Sequence, residues 1–364
     1  MAPQAPIGRI DVRSYTIPTD ALEADGTIEW DHTTIVVVEV AAGDMTGLGY
    51  TYGSPAVARL VADVLAPVVA GVDAMAVGAA WTAMRRAVRN LGRDGMCAAA
   101  ISAVDVALWD LKAKLLDLPL ARLLGMRRDG VAIYGSGGFT SYDDARLEAQ
   151  LGGWASDGLR AVKMKVGSRP ADDAARVRLA RAAIGPEVGL FVDANGALSP
   201  RQALAFADRC VEHGVRWFEE PVSSDDLAGL AMVRARIPAT IEVAAGEYGY
   251  DPAYFDRMLG AGAVDVLQAD ATRCCGITGF LAVGALCDAR HTDLSAHTAP
   301  ALHLHVCCAV PRLRHIEWFH DHVRIEAMLF DGAPRPDRGT IRPDLSRPGL
   351  GLSFRRAKAE RYAA

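Results

Sequence analysis

The chain has 364 residues, which at about 150 residues per domain is room for two domains or for one large barrel with an addition. Hydrophobic residues make up 51% and charged residues 23%, a balance that fits a large buried core and excludes a disordered chain. The 39 basic and 44 acidic residues give a formal charge of −5 and are scattered, so nucleic acid and membrane surfaces are excluded as partners. No apolar run reaches the roughly 18 residues of a membrane span, and the start MAPQAPIGRID lacks the basic and apolar parts of a signal peptide. A soluble cytoplasmic protein is expected. The seven cysteines include the adjacent pairs Cys274/Cys275 and Cys307/Cys308 and no CxxC, which predicts buried thiols rather than disulfides or a zinc knuckle.

In chain order, IGRIDVRSYTIP and TTIVVVEV read as strands, and the second turns at Ala42-Gly43-Asp44 into TGLGYTYG. Between the first two lies the acidic DALEADGTIEWDH, read as a long flexible loop over residues 19–33. From about Ala56 to Leu124 the pattern is helical. Its clearest case carries Ile101, Val104, Leu108, Leu111 and Leu115 at helical spacing, and Pro119 follows. After Gly125 eight short apolar runs alternate with amphipathic helices: VAIYGSG, RAVKMKV, GLFVDAN, VRWFEEP, TIEVAAGE, VDVLQAD, TDLSAH and LRHIEWF. Such alternation implies parallel strands with right-handed crossovers, and eight units close into a barrel. The predicted division is an α+β cap over 1–125, a barrel over 126–320 and a C-terminal segment over 321–364 that returns to the cap.

Ionisable residues fall at the strand ends: Lys165, Asp193, Glu219, Glu247, Asp270, His297 and Glu317, separated by 28, 26, 28, 23, 27 and 20 residues. Each interval is about one strand–helix unit, so all seven reach one rim, where barrel enzymes recruit their catalytic groups. Polar loops beside strand ends explain any one of them. They do not explain carboxylates on three consecutive strands flanked by a lysine and an Asp/His pair. Asp193, Glu219 and Glu247 cannot all stay ionised together without a cation, and hard oxygen donors suit Mg²⁺. Lys163 and Lys165 share a strand face, and their repulsion is expected to lower one pKa into the range of a general base. Asp270 and His297 end adjacent strands, so the carboxylate can fix the imidazole tautomer.

VKMKV, FVDAN, WFEEP, AAGE, LQADATRCCGITG and SAH, with the helix AISAVDVALWDLKAK, together resemble the mandelate racemase branch of the enolase superfamily over nearly the whole chain. The resemblance implies an α/β fold, a modified TIM (β/α)7β-type barrel with an N-terminal α+β capping domain. It also implies one Mg²⁺ per subunit on Asp193, Glu219 and Glu247, with Lys165 as the base on one face of the substrate, tuned by Lys163. His297, paired with Asp270, becomes the acid/base on the opposite face, and Glu317 a protonated hydrogen-bond donor to the substrate carboxylate. Asn195 and Arg273 fall at positions near the site. Glu220 follows a ligand on its strand, so alternation points it away from the ring. His303 and His305 are expected to pack after the seventh strand rather than to form a second metal site.

In that family a Lys or His base with Mg²⁺ stabilises an enediolate. Returning a proton to Cα gives a racemase or epimerase; protonating a β-hydroxyl gives a dehydratase and a 2-keto-3-deoxy acid. The Lys-x-Lys with the Asp/His dyad favours an acid-sugar dehydratase. Trp30 and His32 on the acidic 19–33 segment are expected to contact substrate, and its carboxylates to favour a polyhydroxylated monoacid over a diacid. A non-catalytic metal-binding barrel predicts a missing ring residue, and a His-rich metallohydrolase predicts HxH on the first strand, where Ile133-Tyr134-Gly135 stands. A homo-oligomer, dimer or octamer, is implied by the resemblance.

Overall fold

The computed structural model describes residues 5–364. The first four residues, part of the segment read as lacking a signal peptide, lie outside the described residues. Among those described, no helix is long and apolar enough to cross a membrane, and all seven cysteines are buried free thiols.

The chain opens with an antiparallel sheet of β1 (Arg9–Ala24), β2 (Glu29–Ala42) and β3 (Met45–Tyr52). The TTIVVVEV run is continuously apolar because this part of the sheet is covered on both faces. Val36, Val38 and Val40 join a core of helical residues, while Ile35 and Val37 face the core shared with the barrel. The helices are α1 (Ala56–Leu60), α2 (Ala66–Val69), α3 (Val77–Ala87), α4 (Met96–Leu115) and α5 (Leu120–Leu123), with one π turn at Val61–Leu65. Helix α4 is buried on nearly every side, so its small residues serve close packing. A Cβ on Gly49 would lie 2.1 Å from the Ala103 carbonyl oxygen, so glycine is what lets β3 approach α4 this closely.

The eight predicted barrel strands all form: β4 (Val131–Gly137), β5 (Ala161–Lys165), β6 (Gly189–Asp193), β7 (Val215–Glu219), β8 (Glu242–Ala245), β9 (Val266–Ala269), β10 (Asp293–Ala296) and β11 (Leu313–Phe319). They pair in parallel and in order, and β11 closes on β4. Helices α6 (Asp144–Ser156), α7 (Asp173–Ile184), α8 (Pro200–Cys210), α9 (Leu227–Arg236), α10 (Pro252–Gly260), α11 (Gly276–Ala289) and α12 (Pro300–Cys307) connect them. This is a (β/α)7β barrel under an α+β cap, as the sequence implied. Inside it, Tyr134, Phe191, Trp217 and His315 pack ring against ring at 4.7–6.3 Å, an aromatic layer one pleat below the rim residues.

After β11 come α13 (His320–Leu329), β12 (Phe330–Asp331), β13 (Thr340–Ile341), β14 (Ser353–Phe354) and α14 (Arg356–Ala359). The end of the chain lies against β1, where Ala363 bridges Tyr15 and the Ala364 amide donates to the Ser14 carbonyl at 3.1 Å.

One expectation is corrected here. Residues 19–33 are not a loop: β1 and β2 continue through them as a long hairpin, with a register shift between Pro18 and Glu23 and the turn at residues 25–28. The polar composition misleads because the turn is made by one residue. Asp25 Oδ1 accepts from the Thr27 amide, the Thr27 hydroxyl and the Ile28 amide at 2.6–2.9 Å.

Candidate active site

Parallel register brings the rim residues side by side: Lys165 pairs with Asp193, and Asp193 with Glu219. Alternation sends Lys163 and Lys165 into the barrel while Val162 and Met164 pack outward in the core. Asp193, Glu219 and Glu247 offer oxygen atoms that all lie within 4.8 Å of one another, and all three residues are buried. Glu247 Oε2 is buried without a hydrogen-bond partner. Burial and the Asp193 carboxylate push Glu219 up to about 8, against the pull of Lys163. Crowded carboxylates, one with an unmatched oxygen, are a donor set that fits a divalent cation.

The lysines correct one expectation. Lys165 Nζ donates to Asp193 Oδ2 at 2.6 Å. Lys163 Nζ lies 2.5 Å from Glu219 Oε1, 2.8 Å from Glu317 Oε1 and 3.3 Å from Asp193 Oδ2. Burial is the largest influence on Lys165 and lowers its pKa, and Lys163 repels it, but Asp193, Glu247 and Glu219 together outweigh both and raise it. Glu317 departs from expectation in the same way. Burial favours its neutral form, yet Lys163 and His297 overcome that and hold it ionised.

His297 Nδ1 lies 2.9 Å from Asp270 Oδ2, so the expected pair forms. The Thr272 amide donates to Asp270 Oδ1 at 2.7 Å and fixes the carboxylate. His297 Nε2 faces the ring, 3.4 Å from Glu247 Oε2 and 3.7 Å from Glu317 Oε2. Burial pulls the imidazole down, but Glu247, Glu317 and Asp270 together raise its pKa.

A cavity of about 290 Å³ opens above the ring, lined by Lys165, Glu247, His297 and Glu317, by Asn195 and Arg273, and by Trp30 and His32 from the hairpin. Asn195 has a left-handed φ of 45°, and its amide donates to Asp193 Oδ1 at 2.9 Å. Arg273 pairs with Glu247 at 3.3 Å and Asp270 at 3.7 Å. The expectation of a lid that presents carboxylates to substrate is corrected. Of its acidic residues only Asp25 lines the cavity, and that side chain closes its own turn. Glu23 is buried and accepts from Trp30 Nε1 at 2.8 Å. Burial and Asp321 push it up to about 8.

Sequence reasoning missed two groups. Tyr52 and His322 stack at 3.5 Å and line the cavity beside Phe319; Tyr52 was legible only as the end of TGLGYTYG, and nothing in FHDH singled out His322. Glu220 does not line this cavity; its φ is 38° and its buried Oε1 has no partner. Burial, then Glu247 and Asp193, push that carboxyl up, so it sits in the field of the ring. His303 and His305 lie on α12. His303 Nε2 accepts from the Ala271 amide at 2.7 Å and His305 Nδ1 from the Ala121 amide at 3.1 Å. Both are packing residues, as expected.

Two family models match the chain: Mandelate racemase / muconate lactonizing enzyme, N-terminal domain, over residues 23–125, and Enolase C-terminal domain-like over 146–358. The chain belongs to the enolase superfamily. Within its mandelate racemase/muconate lactonizing enzyme branch, the chain is 33% identical to L-talarate/galactarate dehydratase of Salmonella typhimurium, over 82% of this chain and 77% of that one. It is 32% identical to 3,6-anhydro-alpha-L-galactonate cycloisomerase of Streptomyces coelicolor, over 92% and 95%. A mandelate racemase/muconate lactonizing enzyme-like protein from Rubrobacter xylanophilus superposes with a TM-score of 0.97 at 52% identity, covering 99% of this chain and 100% of that one. A racemase from Streptomyces coelicolor with bound magnesium superposes at 0.93 and 30% identity, covering 98% and 100%. This enolase-superfamily chain therefore stands among enzymes named as dehydratases and cycloisomerases.

Proposed function

We propose that this enzyme removes the α-proton of a hydroxy-carboxylate and dehydrates an acid sugar to a 2-keto-3-deoxy acid. The observation that carries this is the placement of Lys165 and His297 on separate strands of one cavity, beside the carboxylate trio. Asp193, Glu219 and Glu247 hold Mg²⁺, which supplies positive charge to offset the trio and attract the substrate carboxylate.

Lys165 Nζ takes the α-proton as the Cα–H bond breaks, and the electron pair moves into the carboxylate to give an enediolate. Lys163, held by Glu219 and Glu317, keeps a positive charge beside that base and favours its neutral form. His297, fixed by Asp270, gives a proton from Nε2 to the β-hydroxyl. The C–O bond breaks, water leaves, and the enol relaxes to the keto acid. Arg273 and Asn195 hold the site's inner edge and Trp30 closes its outer side.

The substrate we infer is a polyhydroxylated monoacid. The outer wall is Trp30, Phe319, Tyr52 and His322; burial holds His322 neutral, near 3. Lys165, Arg273 and His297 are already paired with ring carboxylates, and His32 with Asp31. That wall offers aromatic faces and neutral donors to hydroxyl groups, with no spare cation for a second carboxylate. Aldonates, aldarates and aromatic hydroxy acids are assayed with Mg²⁺ for keto-acid formation. Turnover of aldonates supports the reading. Turnover confined to aldarates removes the monoacid, and inversion at Cα without keto acid makes the enzyme a racemase or epimerase, the outcome open to the same two groups.

A further inference from the structure

We propose a second divalent-cation site at the foot of the lid, formed by Asp20 and Glu23 of β1 and by His320 at the start of α13. Asp20, Glu23 and His320 bring ligand atoms that all lie within 4.8 Å of one another, and Asp321 acts on Glu23 from the next position in the chain after His320. This is more than a group of surface acids. Glu23 and Asp321 are each 0% exposed, and Glu23 Oε1 and Asp321 Oδ2 are buried with no hydrogen-bond partner. A buried acceptor without a donor is costly, and a cation is one way to satisfy it.

The other oxygen of each carboxylate is held. Trp30 Nε1 donates to Glu23 Oε2 at 2.8 Å, Arg324 Nε to Asp321 Oδ1 at 3.1 Å, and an Arg146 amino group to Asp20 Oδ1 at 3.2 Å. Asp20 Oδ2 meets His320 Nε2 at 3.1 Å. Glu23 thus has one oxygen fixed and the other offered, which is how outer-shell partners orient metal ligands. Carboxylates with one imidazole suit Zn²⁺, Mn²⁺ or Co²⁺ better than Mg²⁺. A cation here would tie the hairpin to the last barrel strand and, through Glu23, fix Trp30 over the cavity. It is independent of the carboxylate trio.

The full-length enzyme in saturating Mg²⁺ is titrated with Zn²⁺, desalted and analysed for metals by mass spectrometry. One Zn²⁺ per chain beyond the trio's metal is expected. Glu23→Gln, which keeps an acceptor for Trp30, and His320→Ala, at a partly exposed position, each weaken that Zn²⁺ at least tenfold. Glu219→Gln loses the trio's metal and keeps the lid Zn²⁺, so failure of the catalytic reading is distinguishable from failure of this one. A single metal that disappears in Glu219→Gln, or Zn²⁺ retained equally in Glu23→Gln and His320→Ala, overturns the site.

Discussion

The barrel rim and the lid hairpin reach the same cavity by different routes. Rim residues leave neighbouring strands of one closed sheet, so their spacing is set by strand register. The lid leaves the cap and leans on the rim through side chains: Thr140 Oγ1 donates to the Asp25 carbonyl, Ser141 Oγ to the Leu22 carbonyl and Arg324 to the Pro18 carbonyl, at 2.7–2.8 Å. On the proposed function, chemistry sits on the rigid part and substrate recognition on the part that depends on tertiary contacts.

Damage to the rim should abolish rate, and damage to the lid should weaken binding. Chelation by EDTA is the largest expected effect: turnover falls to background and returns with added Mg²⁺. Trp30→Ala removes a lid wall, and KM should rise by about tenfold, one aromatic contact's worth, with kcat nearly unchanged. A fall in kcat with KM unchanged would erase the division between the two regions.

The cap sharpens the contrast, because its packing bears on stability and not on chemistry. Gly49→Ala pushes a Cβ against the backbone of α4 and should cost about 1–3 kcal/mol in denaturant unfolding. A pH effect acts at the cap–barrel junction. Glu326 accepts from Tyr50 Oη at 2.5 Å and the Ala301 amide at 3.0 Å, and burial pushes it up to about 8. In the unfolded chain it ionises near the usual value of about 4.3. The folded state therefore binds more protons between those values, and stability should fall as pH rises from about 4.3 to about 8. Glu326→Gln should flatten that part of the profile.

The rim was legible because strand length and helix length are nearly constant, so intervals from Lys165 to Glu317 reported position on a ring. The lid was not, because a hairpin of acidic residues shows no apolar alternation, and the partners of Asp20 lie far away in sequence. Those partners are Arg146 and His320, while burial, which the sequence does not report, sets the charge of Glu23. Protonation states were illegible for the same reason. The Lys-x-Lys spacing reports one repulsion, whereas Glu219, Glu317 and Asp193 raise Lys163, and Asp193, Glu247 and Glu219 raise Lys165.

The central claim is that Lys165 and His297 act on one substrate from two sides. It is tested most directly by following exchange of the α-proton into deuterated water with a turned-over acid sugar. Lys165→Ala should abolish exchange, and His297→Asn should retain exchange while keto-acid formation falls by about 10²–10⁴-fold. Exchange left intact in Lys165→Ala, or keto-acid formation unchanged in His297→Asn, would contradict the account.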